Sequence, residues 1–218
     1  MSDAPSDAPS ETPTVVVATA NPHKLTEIRA ILADAGLEVE LVAMTDLDVP
    51  SPVEDGDTFE ANALIKARAC ARATGLPAIA DDSGLAVDAL EGAPGVHSAY
   101  YAGTHGDDEA NNAKLLTEVA DVPAERRTAR FVCAAAAVGP GDHEIVLRGE
   151  MPGHLVDPPR GSNGFGYDPL FVADATPDGR TNGELTPAEK DAISHRGAAF
   201  RALAEHLPAL LSDDPAGS

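Results

Sequence analysis

The stretch TVVVATANPHKLTEIRAILADAG, residues 14–36, changes its hydrophobic rhythm once, and that change decides how the chain folds. TVVVATA (14–20) is short, apolar and β-branched, the pattern of a buried strand. It runs straight into Asn21-Pro22, where asparagine can cap free helical N–H groups and proline suits the first helical position. Leu25, Ile28 and Leu32 then recur at helical spacing, and Gly36 is placed to end the helix. The unit is strand, tight loop, helix.

Outward from this unit, LEVELVA (37–43) alternates like a strand. A loop rich in proline and aspartate leads to Asp57-Thr-Phe-Glu60, which has the spacing of a capping box, and a helix is expected through Ala73 with Gly75 as its stop. Residues 77–80 read as a short strand that ends at the paired acids of AIADDSGL (78–85). NNAKLLTEV (111–119) is expected to be helical, and ARFVCAAAAV and EIVLRGE are expected to be strands joined at Gly139-Pro-Gly-Asp142. Near the end, Thr186-Pro-Ala-Glu189 is a second capping box, and Ser194 should cap a helix whose apolar stripe is Phe200, Leu203, Leu207 and Leu210. Strand–helix units beside a hairpin predict an α/β fold with a mixed sheet.

Residues 14–211 contain neither a linker-like stretch nor a repeat of domain size, so one domain is expected there. The first thirteen residues, with their tandem SDAP, and residues 212–218 are too poor in large apolar side chains to join a core and are expected to be disordered tails. The 36 acidic against 15 basic residues give a net charge of -21, which would repel a phosphate backbone and argues against nucleic-acid binding. A phosphate-bearing small molecule would need a local basic pocket or a metal ion. Cys70 and Cys133 lack metal-ligand spacing and suit a reducing compartment. Without a basic, apolar leader or an apolar run near the roughly 20 residues of a membrane helix, a soluble cytoplasmic protein is expected.

Two segments combine a helix start, a natural anion site, with cationic side chains. The first is Thr19-Ala20-Asn21-Pro22-His23-Lys24, which read alone is either an anion site or a plain strand–helix connection. The second is Lys190 with His195-Arg196, where basic groups near a helix start oppose the macrodipole unless an anion or carboxylate balances them. On the acidic side stand Asp81-Asp82 and Glu54-Asp55, oxygen ligands of the type Mg²⁺ takes together with substrate phosphates. Asp81-Asp82 reads equally as the polar turn at a strand end. In an extended chain the two carboxylates face opposite ways, so only one would work on a given ligand. The run Pro159–Pro169 flanks Phe165 and Tyr167 with glycines, leaving room for a flat ring, while Asp168 could accept hydrogen bonds from a base or sugar.

Together VVVATANPHKLTEI, TFEANALIKAR, ADDSGLAVDALEGAPGVHSA, PRGSNGFGYDPLF and ELTPAEKDAISHRG, in order from Val15 to Leu207, resemble the inosine triphosphate pyrophosphatase family, also called dITP/XTP pyrophosphatases. The resemblance implies an α/β protein with a long mixed central sheet, flanking helices and two lobes around a substrate cleft. It also implies a homodimer that cleaves ITP, dITP and XTP to monophosphate and pyrophosphate with Mg²⁺. Matching positions imply triphosphate contacts from Thr19 through Lys24, with Lys66 and Lys190 as further cations. They imply Asp82 as the catalytic and metal-linked carboxylate and Glu54 as the second acidic metal position. Ser83, Phe165, Gly166, Tyr167, Asp168, His195 and Arg196 match substrate and base contacts.

Two positions depart from the pattern. Tyr100 stands where arginine is usual after Ser-Ala, and Thr181-Asn-Gly-Glu-Leu is looser than the usual entry to the last motif. Rival readings are a related pyrophosphatase for pyrimidine or modified nucleotides, a nucleotide-binding protein without turnover, and a phosphomonoesterase with an aspartyl nucleophile. For the last, DDSGLAVD lacks the D-x-D arrangement.

Overall fold

A computed structural model describes residues 12–212, so most of both expected tails lies outside the described residues. The opening stretch forms β1 (Thr14–Val17) and α1 (Pro22–Asp34). The strand ends earlier than expected because Thr19 N already turns back to Val17 O at 2.9 Å. Asn21 Oδ1 then accepts from His23 N and Lys24 N, and Gly36, at φ +73, follows the helix end. β2 (Glu40–Ala43) is confined to the four residues that face β1 in register, Thr14 opposite Glu40.

The helix α2 (Phe59–Thr74) starts one residue later than its expected box. Thr58 is the cap, accepting from Ala61 N at 3.1 Å, which leaves Glu60 free to pair with Arg148 at 2.7 Å. Further on come α3 (Asp108–Glu118), β4 (Thr128–Val138), β5 (Glu144–Leu155), β6 (Phe171–Ala173), α4 (Pro187–Ile193) and α5 (His195–Leu211). The hairpin at residues 139–142, the capping box at Thr186 and the Ser194 cap all form as expected. None of the described helices is long and apolar enough to cross a membrane.

The largest departure concerns the strand expected over residues 77–80. It is β3 (Ala78–Val87), and it runs straight through Asp81-Asp82-Ser83-Gly84 instead of turning there. The cause is long-range pairing: β4 matches it antiparallel from Ala78↔Val138 to Val87↔Ala129, supplying every backbone partner a turn would have supplied locally. Gly84 therefore does not bend the chain. A Cβ there would run into Gly95 O and Ser98 Oγ, with Phe59 at 2.9 Å, so glycine is needed for close approach.

The sheet order is β2-β1-β3-β4-β5-β6, parallel among the first three and antiparallel beyond. Ala134–Ala137 of β4, all fully buried, keep both faces shallow. One face takes α1 and α5 through Ile28, Leu32, Phe200, Leu203 and Leu207; the other takes α2 through Ala63, Ala67 and Cys70. Each fully buried leucine or phenylalanine there contributes about 1.5–3 kcal/mol. The far ends of β3, β4 and β5 enter a separate core with Leu115, Tyr167, Leu170 and Phe171. Residues 81–84 are the polar band between the two core regions, which makes the molecule two-lobed.

Candidate active site

Strand alternation divides the paired acids. Asp82 points to the α2 face, where its Oδ2 accepts from Asn62 Nδ2 at 3.2 Å and its Oδ1 lies 3.1 Å from Lys66 Nζ. Asn62 and Lys66 sit one turn apart on α2 and so reach the same carboxylate. Lys66 also meets Glu54 Oε2 at 2.7 Å, so one ammonium bridges both carboxylates. Burial opposes the charge on Lys66, but Asp82, Asp81 and Glu54 outweigh it and hold its pKa above the ordinary lysine value. Burial lifts the Asp82 carboxyl above the ordinary aspartate range despite Lys66 and Lys24, which makes it a stronger proton acceptor than an exposed aspartate.

Asp81 and Ser83 point to the α1/α5 face. Asp81 Oδ2 accepts from Ser83 Oγ at 2.7 Å, lies 3.1 Å from Lys24 Nζ and 3.0 Å from Arg196 Nη2. Arg196 also pairs with Glu27, which meets Lys190 at 2.9 Å, and Lys190 meets Asp168 at 2.7 Å. Three carboxylates and three cations thus alternate through a nearly dry space, Arg196 being 1% exposed and Lys190 4%. Such burial is tolerated only because each charge has a partner. Burial opposes ionisation of Asp81, yet Lys24, Arg196 and Lys66 pull its pKa far below the usual range. Glu27 is likewise lowered, against burial, by Arg196 and Lys190.

The glycine-flanked loop covers this cluster. The Phe165 ring lies 4.8 Å from Lys190 Nζ and 5.7 Å from Arg196 Cζ, and it stacks on His23 at 5.6 Å with an interplanar angle of 22°. Asp168 is engaged internally, accepting from Phe165 N at 2.9 Å and Asn182 Nδ2 at 3.2 Å besides Lys190. In the α1 entry, Asn21 Oδ1 takes the N–H groups of His23 and Lys24, while Ala20, Pro22 and His23 remain exposed.

The structure thus gathers Lys24, Ser83, Phe165, Asp168, Lys190 and Arg196 in one cluster, with Glu54, Lys66 and Asp82 just across β3. It turns two of the sequence-derived residues elsewhere. Tyr167 is buried in the far core, its hydroxyl donating to Ser98 O at 2.9 Å. His195 stacks on Phe131 at 4.9 Å, with its Nδ1 buried and unpartnered; burial and then Arg196 hold it neutral. Tyr100 is exposed and shares a hydrogen bond with His97.

Sequence reasoning missed Glu27, Asn62 and Asn182. Helical spacing held the signal for the first two, since Glu27 is three residues beyond Lys24 and Asn62 four before Lys66. Asp191, beside Glu27, was also unremarked. One of its oxygens is buried without a partner, and burial, followed by the Glu27 charge, pushes its pKa from 3.8 up to about 6. A carboxyl raised on folding costs stability as pH climbs from the unfolded to the folded value. Asp191→Asn should therefore melt higher than the parent at pH 7, and the difference should shrink between about pH 6 and 4, as followed by thermal denaturation.

The model of the Ham1 family matches residues 15–206. A dITP/XTP pyrophosphatase of Frankia alni is 59% identical over 203 residues, covering 91% of this chain and 98% of the relative. Among solved structures, a HAM1 protein from Coxiella burnetii superposes with a TM-score of 0.81 at 42% identity, covering 91% of this chain and 100% of that one. A nucleoside-triphosphatase / dITP/XTP pyrophosphatase from Mycobacterium abscessus gives 0.70 at 52% identity, over 87% and 98%. With the family model spanning both core regions and every strand between them, this chain belongs to the Ham1 family.

Proposed function

We propose that the chain hydrolyses the deaminated purine nucleoside triphosphates ITP, dITP and XTP to the monophosphate and pyrophosphate, clearing them from the nucleotide pool. The observation that carries this reading is the division of charge about β3. Asp82 with Glu54 and Lys66 lies on one face, while Lys24, Lys190 and Arg196 gather on the other beneath an aromatic ring. The curated relatives named dITP/XTP pyrophosphatase support the same substrate class.

A triphosphate carries about four negative charges, which must be offset before water can approach phosphorus. Thr19–Lys24, Lys66 and Lys190 take the phosphate side, their ammonium groups drawn onto phosphate oxygens. Asp82 orients the attacking water and accepts its proton, helped by burial that raises its basicity. Glu54 and Asp82, both within reach of one ammonium, also fit Mg²⁺. Among the described residues no group of three or more His, Cys, Asp or Glu is placed to hold a metal, and Mg²⁺ commonly takes one or two carboxylates plus phosphate oxygens. When bound, such an ion would neutralise phosphate charge and polarise the scissile bond.

Phe165 supplies the stacking face for the purine, with Gly166 and Asp168 completing its loop, and Ser83 and Arg196 line the base side. A 6-oxo purine presents an acceptor where adenine presents a donor. A buried donor such as the Arg196 guanidinium would leave adenine unmatched, and discrimination of this type can reach about 10⁴-fold. The proposal extends to residues 14–211 as one domain, a cytoplasmic location and a homodimer. Incubation with ITP and a divalent ion, followed by product identification, tests it: IMP plus pyrophosphate is expected, and release of single phosphates would refute it.

A further inference from the structure

Phe165 stands between two glycines of positive φ, Gly164 at +75 and Gly166 at +62. Its ring orientation therefore depends on what grips the loop backbone from outside. Two side chains of α3 do so at a single residue. Asp108 Oδ2 accepts from Gly166 N at 2.7 Å, and Asn112 Nδ2 donates to Gly166 O at 3.0 Å. Four residues apart on one helical face, they satisfy both polar groups of one peptide residue from a rigid element. On the other side Phe165 N is held by Asp168, which Lys190 anchors in turn.

The grip has a cost that helix or core packing alone does not explain. Asn112 Oδ1 is buried with no hydrogen-bond partner, so its amide is oriented for Gly166 at the expense of its own acceptor. Asp108 in the first turn of α3 would favour the helix dipole wherever it pointed, yet it points at the loop. Neither residue hydrogen-bonds or pairs with the charged groups around Asp81 or Asp82.

We propose that Asp108 and Asn112 are positioning residues, a two-point clasp on Gly166 that holds the Phe165 ring ready for a purine and so sets affinity for the base half of the substrate. The clasp rests on the reading of Phe165 as the purine platform. Without it, Gly166 loses both of its partners on α3, and the cost of ordering that side of the loop falls on nucleotide binding. Removing one hydrogen bond of this kind lowers affinity by about 3- to 10-fold.

The test uses the full chain and compares Asp108→Ala, Asn112→Ala, the double variant and Asp108→Asn. KM and kcat for ITP are measured, with calorimetric affinities for IMP and for inorganic pyrophosphate. Each alanine variant should raise the ITP KM and weaken IMP by about 3- to 10-fold while kcat and pyrophosphate affinity stay within about twofold. The double variant should be little worse than the weaker-binding single, because both bonds hold the same residue. Asp108→Asn keeps an oxygen acceptor and should recover most of the IMP affinity. Both positions are only half-buried, and this milder variant keeps the test open if an alanine variant folds poorly. Unchanged IMP affinity in both single variants, or a parallel loss for pyrophosphate, overturns the clasp alone. If the parent protein neither turns over ITP nor binds IMP, the platform reading fails and the clasp falls with it.

Discussion

Asp82→Asn is expected to lower kcat for ITP by about 10²- to 10⁴-fold, the span usual for loss of a general base, while the protein stays folded. The amide can still accept from Asn62, and Lys66 keeps Glu54 as a partner at 2.7 Å, so no charge is left buried and alone. What disappears is the basic oxygen. Initial rates with saturating ITP, alongside a thermal melt, separate the two effects. A near-parental rate from a well-folded variant would remove Asp82 from the chemistry.

The largest expected loss of stability follows Arg196→Met. The guanidinium bridges Asp81 and Glu27 at 1% exposure, and its removal leaves Asp81, Glu27 and Asp168 with only Lys24 and Lys190, so one negative charge in a nearly dry space goes uncompensated. Breaking buried pairs in this way costs about 3–5 kcal/mol. The pH dependence has a definite sign. Asp81 and Glu27 both have pKa values lowered on folding, so the stability they confer is present above their unfolded values and is lost as pH falls through the folded ones. The deficit of Arg196→Met should therefore be greatest near neutrality and narrow below about pH 4 as the uncompensated charge is neutralised by a proton. Urea unfolding at pH 7 and about pH 3 measures it, and a loss under about 1 kcal/mol at pH 7 would mean that the cluster is not a stabilising unit.

The two variants address different sides of β3, and the difference bears on how the paired acids work. Asp81 and Asp82 are neighbours in sequence with opposite environments: one lowered and locked among cations, the other raised by burial with one lysine in direct contact. Asp81 holds Lys24 and Arg196 in place. Asp82 keeps the capacity to take a proton.

Sequence alone determined the elements whose signals are local. The entry from β1 into α1 at Asn21-Pro22, the capping box at Thr186, the Ser194 cap and the hairpin at residues 139–142 involve groups only a few positions apart, which chain geometry brings together wherever the segment lies. The motif resemblance singled out Lys24, Lys66, Asp82, Lys190 and Arg196, which the fold brings about β3, but not how they face one another. Tertiary structure alone decided that β3 passes through the acidic stretch, because polar residues there read locally as a turn until β4 pairs with all ten residues of the strand. It also decided that Tyr167 turns into the far core, and that Glu27 completes a charge cluster whose members Asp81 and Arg196 stand 115 residues apart. The physical reason is range: a cap is satisfied within one helical turn, whereas a buried charge or an extended backbone is satisfied only by partners the fold delivers from elsewhere in the chain.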